Sequence, residues 1–319
     1  MGDVAGVRRK QFGSHLSAHS RQALYACRQY PPTALLRNPL TRRLVREIVE
    51  SDWAALTAKL DFAFDISSVD VGGVACVRFR TSRTSPEAPL ILYLHAGAYV
   101  AGSPRTNAAA ILPCCEISGC EAIGVDYSLA PEHVFPTQLD EIETAYLALL
   151  AAGRAPAKIV LVGDSAGGAL ALASVWRWRR SGQPLPGGVV SISGVLDGAA
   201  GSDSHWSMRG NDPIFGADSR SATIATTSMY APDADPKSPE ISPVYGDFSG
   251  SPPILLQVGA RDVFLGDSVR TAERARRSGA DVTLQVFDGM FHLFHMHWDI
   301  EEARAAQHSV AEFVRRVTA

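Results

Sequence analysis

The chain has few cysteines, no long apolar run and no surplus of basic residues, and each shortage removes a class of protein. Its five cysteines (Cys27, Cys76, Cys114, Cys115 and Cys120) are odd in number, and three of them crowd into seven residues. That suits neither the disulfide framework of a secreted module nor paired CxxC zinc knuckles, so they read as reduced, packed thiols. Lys plus Arg number 30 against 33 Asp plus Glu, for a net charge of -3 and a pI near 6.3. Nothing in that balance would neutralise a phosphate backbone, and nucleic acid is not an expected partner. Only four cations are lysines (Lys10, Lys59, Lys158 and Lys237), a scarcity from which no function follows. Nowhere do about 18 uncharged apolar residues follow one another, and the first residues lack the apolar core of a signal peptide. No membrane span is expected, and the expected location is cytoplasmic.

What is present is a chain of 319 residues, 46% of them hydrophobic, enough for one large core with a small cap. Residues 1–62 contain no convincing strand. Their clearest signal is Asn38 as a helix N-cap with Pro39 at the first helical position, followed by Leu40, Leu44, Val45, Ile48, Val49, Trp53 and Leu56 at helical spacing. This segment reads as an N-terminal helical cap on a catalytic domain covering 63–319. In that domain short β-rich runs begin at 74, 89, 121, 158, 187, 252 and 281, several of them continuous apolar stretches of the kind buried on both faces of a parallel sheet. Helix-period segments lie between them, around 139–150, 166–180 and 300–317. The alternation predicts an α/β fold, a mostly parallel sheet with helices on both faces. Residues 197–250 break the pattern with Gly, Ser, Asp and Pro and no clean strand, and read as a cap or lid insertion.

KIVLVGDSAGG at 158–168 is a strand, then GDSAG, then a helix. A GxSxG match alone arises by chance in about one in ten chains of this length, so the context carries the weight. Gly163 and Gly167 lack the Cβ that would block a sharp strand-to-helix turn, and such a turn would present Ser165 Oγ at the end of the sheet. The blander reading is that Ser165 only caps the helix. A hydroxyl is a poor nucleophile at neutral pH and needs a base, itself oriented by an acid. Among nine histidines, His292 follows the last strand in the turn DGMFH. His295 and His297 are rivals, but HLFHMH has only Asp299 as a nearby acid, and no metal site is expected. Asp262 lies just past the strand PPILLQVG, where catalytic groups collect in open α/β sheets. Asp267 is the alternative, with the competing role of an N-cap.

The strand PLILYLH runs into HAGAYVAGS at 95–103, where small residues let backbone amides turn toward a reacting carbonyl. Gly97 and Ala98 are the candidate oxyanion donors, joined by the amide of Ala166. Tyr99, Trp206, Phe215 and Phe291 are aromatic, near the motif loops or the insertion, and are candidate substrate-binding residues; ordinary packing is the competing role of each.

GDSAGG at 163–168, DYSLAPEHVFP at 126–136, GARD at 259–262 and GMFH at 289–292, in that order, resemble the hormone-sensitive-lipase-like family of α/β-hydrolase esterases. The likeness runs from about residue 60 to the C-terminus. It implies an α/β-hydrolase fold, hydrolysis of short- to medium-chain carboxylic esters with Ser165, Asp262 and His292 as the triad, and no cofactor. The final segment also looks like relatives that open lactones. A small ester or lactone is therefore the expected partner; a second copy of the chain is left open, and a non-catalytic binding protein on the same fold is the competing class. Two departures stand out: HAGA in place of HGGG, and Ser128 where the family has Arg. The first leaves the backbone amides in place but strains Ala98 if its φ is positive. The second leaves Glu132, expected with His133 to be structural, to find another partner.

Overall fold

The computed structural model describes residues 16–27, 29 and 31–319; residues 1–15 of the expected N-terminal cap, with the leader region read there, lie outside the described residues. Eight strands form one sheet: β1 (Phe64–Val71), β2 (Val74–Thr81), β3 (Leu90–Leu94), β4 (Glu121–Val125), β5 (Ile159–Asp164), β6 (Gly188–Ile192), β7 (Ile254–Gly259) and β8 (Val282–Phe287). Their order is β1-β2-β4-β3-β5-β6-β7-β8. The pairs β1/β2 and β2/β4 are antiparallel, and all others are parallel. Every residue of β3, β5, β6 and β7 is buried, which is why these strands read as unbroken apolar runs.

The first strand was not legible as a strand. β1 is a half-exposed edge with Asp65, Ser67, Ser68 and Asp70 in it. The stronger signal is its turn, Gly72–Gly73, where both residues have positive φ and Val71 pairs with Val74. That two-glycine link between β-rich runs marks a tight hairpin.

The helices are α1 (Ala18–Ala26), α2 (Pro39–Thr57), α3 (Ala108–Ser118), α4 (Thr137–Ala151), α5 (Ala166–Ser181), α6 (Ser204–Ser207), α7 (Ser219–Tyr230), α8 (Leu265–Arg277) and α9 (Glu301–Val317). Asn38 caps α2 by accepting from the Leu40 amide at 2.9 Å. The apolar residues of α2 divide between two faces. Val45, Val49 and Trp53 turn inward, whereas Leu40, Leu44 and Ile48 are exposed. Helix α3 carries no helical periodicity in its sequence because AAAILPCC is buried on all sides and offers no polar stripe.

Asp267 is not the N-cap that the sequence suggests. It lies inside the first turn of α8, fully buried, and accepts from the Asp197 amide at 3.0 Å and from the Ser202 hydroxyl. Burial is the main reason its carboxyl is pushed up to about 8, with the neighbouring charge of Asp197 adding to it. Its role is to hold the start of the 197–250 segment. That segment contains α6 and α7 and no strand. The inward face of α7 is Ser219, Thr223, Thr226, Thr227 and Tyr230, a stripe at helical spacing made of hydroxyl residues, which a search for apolar periodicity passes over.

Candidate active site

The site assembles at the C-terminal ends of β3, β5, β7 and β8. Between β5 and α5 the chain turns so sharply that Ser165 has φ 54° and ψ -117°. Its amide donates to Ile192 O at 2.9 Å and its carbonyl accepts from Val195 N at 3.1 Å, so the turn is fastened to the β6 edge. A Cβ on Gly163 would lie 2.1 Å from Gly167 O, and one on Gly167 would lie 2.0 Å from Leu94 O. Both glycines are therefore required by the close crossing of helix over strand. Just before the serine, Asp164 accepts from the Tyr93 hydroxyl at 2.8 Å and faces His295 Nε2 at 3.5 Å.

Ser165 Oγ and His292 Nε2 are 3.0 Å apart. His292 Nδ1 lies 3.2 and 3.3 Å from the two carboxylate oxygens of Asp262, which also accepts from the Phe264 amide at 2.9 Å. All three side chains are buried. Burial pulls the imidazole toward its neutral form. The Asp262 carboxylate, the hydrogen bond to it, and the charges of Asp212 and Asp164 outweigh that pull and hold its pKa above the ordinary value. The ring sits between Phe215 at 4.9 Å and Phe264 at 5.2 Å between centroids, both edge-on, so it has little freedom to swing away from the serine. The rival histidines lie elsewhere: His295 is buried against Asp164, and burial pushes His297 down to about 4. Among the described residues no group of three or more His, Cys, Asp or Glu could hold a metal ion.

The loop after β3 makes a turn in which Val100 and Ala101 both donate to Gly97 O, at 2.9 and 3.0 Å. Gly97 has φ 137°, and Ala98 and Tyr99 are left-handed at φ 53° and 66°. Gly97 and Ala98 line a cavity beside Ser165. Ala166 is the first residue of α5, where an amide has no intrahelical acceptor. Behind the loop, His95 stacks on Tyr127 at 4.1 Å and accepts the Tyr127 hydroxyl on its carbonyl, a rigid backing.

The cavity has a volume of about 420 Å³. Leu36, Val49 and Trp53 of the N-terminal segment line it, together with Tyr99, Phe215 and Thr226. Thr223 and Thr226 are less polar than they look, because their hydroxyls donate to Ser219 O and Ala222 O of their own helix and leave the methyls to face outward. Two of the four aromatic candidates do not line this cavity. Trp206 is 62% exposed with Arg220 over its ring. Phe291 is fully buried in a separate cluster with Met290 and Phe294, since the residue next to His292 along the loop points away from it.

The N-terminal wall is held by Glu132, which accepts from Arg42 Nε at 3.1 Å and from Arg46 at 2.8 and 3.0 Å. The Arg46 hydrogen bonds are the main reason its carboxyl is held down at about 2. Ser128, standing where an Arg was expected, instead bonds Glu141 through both its amide and its hydroxyl, at 2.7 and 2.5 Å. Burial pushes the free Cys27 and Cys76 thiols up to about 12, far from nucleophilic form. Among the described residues no helix is long and apolar enough to cross a membrane.

A family model described as the alpha/beta hydrolase fold matches residues 91–296. An acetyl-hydrolase of Streptomyces hygroscopicus is 31% identical over 291 residues, 86% of this chain and 96% of that protein. An esterase of Acinetobacter venetianus is 34% identical over 226 residues, 70% of this chain and 74% of that protein. Among solved structures, an esterase from the bacterial hormone-sensitive lipase family superposes with a TM-score of 0.84 at 29% identity, covering 95% of this chain and 99% of that one.

Proposed function

Because the chain belongs to the α/β-hydrolase family, among its hormone-sensitive-lipase-like carboxylic ester hydrolases, we propose that it is a serine carboxylesterase for short- to medium-chain esters, working through an acyl-enzyme on Ser165. The observation that carries this reading is the continuous contact from Ser165 Oγ to His292 Nε2 at 3.0 Å and from His292 Nδ1 to Asp262 at 3.2 Å.

In this mechanism His292 takes the serine proton as Oγ attacks the ester carbonyl. Asp262 keeps Nδ1 protonated and offsets the imidazolium charge. The amides of Gly97, Ala98 and Ala166 receive the oxyanion, each donor of such a hole being worth about 2.7–4 kcal/mol. His292 returns the proton to the leaving alcohol, and water repeats the cycle on the acyl-enzyme. A largely apolar cavity of about 420 Å³ beside the nucleophile suits an acyl chain of limited length.

A series of p-nitrophenyl esters from acetate to palmitate tests this. We expect kcat/KM to be greatest for short or medium chains, and the first turnover to release a burst of p-nitrophenol stoichiometric with enzyme where deacylation is slow. A palmitate optimum counts against the cavity argument. The pH profile tests the base. Only the neutral imidazole accepts a proton, and its pKa is raised, so kcat/KM is expected to fall as pH drops, with its half-point above about 6.5. A flat profile from about pH 5 to 8, with chemistry limiting, excludes His292 as that base.

A further inference from the structure

A second acid is built in behind the proposed triad. Asp212, in the 197–250 segment, is fully buried. Its Oδ1 accepts from the Ile214 amide at 2.9 Å, and its Oδ2 accepts from the amide of Val263 at 3.3 Å. Val263 directly follows Asp262. The backbone carbonyl of Asp212 accepts from Gly216 N at 3.0 Å, and Gly210 N donates to Gly216 O at 2.8 Å, closing 210–216 into a compact loop. Ile214 and Phe215 of that loop line the cavity, and Phe215 lies edge-on to His292. One carboxyl thus touches the loop that walls the cavity and the loop that carries the triad acid.

We propose, on the serine-esterase reading above, that Asp212 is a positioning residue of the active site: it hangs the 212–216 loop on Val263, so that the cap segment sets the places of Asp262 and Phe215 around His292. It also acts through charge. Asp212 faces Asp262, His292 and the Cys27 thiol, with no Lys or Arg among the main influences on it. Burial first, and then the Asp262 charge, push its carboxyl up to about 7, against the pull of His292 and the two amides. The imidazole in turn faces Asp262 from the loop after β7, Asp212 from the cap segment and Asp164 from the end of β5. The protonation of Asp212 and that of His292 therefore oppose each other. A proton on Asp212 removes a negative charge that favoured imidazolium, so His292 then binds its own proton less readily.

The test is kcat/KM for p-nitrophenyl butyrate across pH 5–9 in the unaltered enzyme, Asp212→Asn and Asp212→Ala, with thermal unfolding in parallel. The Asn variant keeps one acceptor and loses the charge. Its acid limb is expected to move to lower pH by about half a unit to one unit and to sharpen to a one-proton titration, and its plateau kcat to fall less than that of the Ala variant, because one of the two amide anchors is lost and the other kept. The Ala variant loses the anchor, and its plateau kcat is expected to fall about 10- to 100-fold with less change in KM. In the unaltered enzyme the acid limb should be broader than a single proton produces. A limb of unit slope overturns the coupling of the two charges, and an Ala variant that folds and keeps its plateau kcat overturns the anchor. An Asn variant whose limb superposes on that of the unaltered enzyme overturns the coupling as well. Failure of the esterase reading has a different signature, hydrolysis that survives removal of Ser165.

Discussion

Ser165→Ala is expected to lower kcat for p-nitrophenyl butyrate by about 10⁶-fold while leaving the thermal unfolding midpoint nearly unchanged. The large kinetic effect follows from the absence of a substitute nucleophile. Among the described residues the Ser165 hydroxyl has one side-chain partner, His292, and the buried thiols lie elsewhere in the core with raised pKa values. What survives should be the contribution of oxyanion donors and substrate binding, about 10³–10⁴-fold over water in comparable enzymes. The small effect on folding has a separate reason. The turn is held by backbone bonds, from Ser165 N to Ile192 O and from Val195 N to Ser165 O, and alanine keeps both. It also keeps the left-handed φ, whose cost is the same for Ser and Ala. Steady-state kinetics on a folded variant decide the point. Substantial residual turnover, with a burst still present, would place the nucleophile elsewhere.

How far the sequence discloses this site depends on what each feature needs. β3, β5, β6 and β7 are legible because burial on both faces demands unbroken apolar runs, and Ser165 and Asp262 lie at the ends of two such strands, whereas His292 follows the half-exposed β8. The structure brings those three together. The edge strand β1 has no such demand on it and shows only through Gly72–Gly73. Adjacency to a motif was a poor guide to the pocket: Phe291 and His292 are neighbours, yet one packs into a separate core and the other into the site. Conversely, α7 lines the cavity in part with Thr223 and Thr226, whose hydroxyls are turned back onto their helix, a solution visible only once the helix exists. Asp212 is silent in sequence for the same reason. Its partner, the Val263 amide, is 51 residues away, and nothing local marks the carboxyl as buried.

The loop from Gly97 to Ala101 should respond in opposite senses at two adjacent positions. A Cβ on Gly97 would fall 1.8 Å from Ala101 O and 2.7 Å from Ala101 C, and these are backbone atoms that cannot swing aside as a side chain can. The residue also has φ 137°, a region that L residues rarely adopt. Gly97→Ala must therefore open the turn that Val100 and Ala101 close onto the Gly97 carbonyl, and with it move the proposed donors. The expected outcome is a loss of about 10²–10³-fold in kcat, the cost of one oxyanion donor, together with about 1–3 kcal/mol of stability. Ala98→Gly should do the reverse to stability. Ala98 already has φ 53°, a conformation that costs an L residue about 1–2 kcal/mol, of which glycine's extra freedom in the unfolded chain takes back about 0.5–1 kcal/mol. A net gain of about 0.5–1 kcal/mol is expected, with kcat/KM close to that of the unaltered enzyme because the amide itself is retained. Urea unfolding and p-nitrophenyl butyrate kinetics on both variants separate the two effects. If Gly97→Ala matches the unaltered enzyme in both, the oxyanion is held by other groups. If Ala98→Gly is less stable, the left-handed turn at Ala98 is relieved by contacts of its methyl group with the cavity wall.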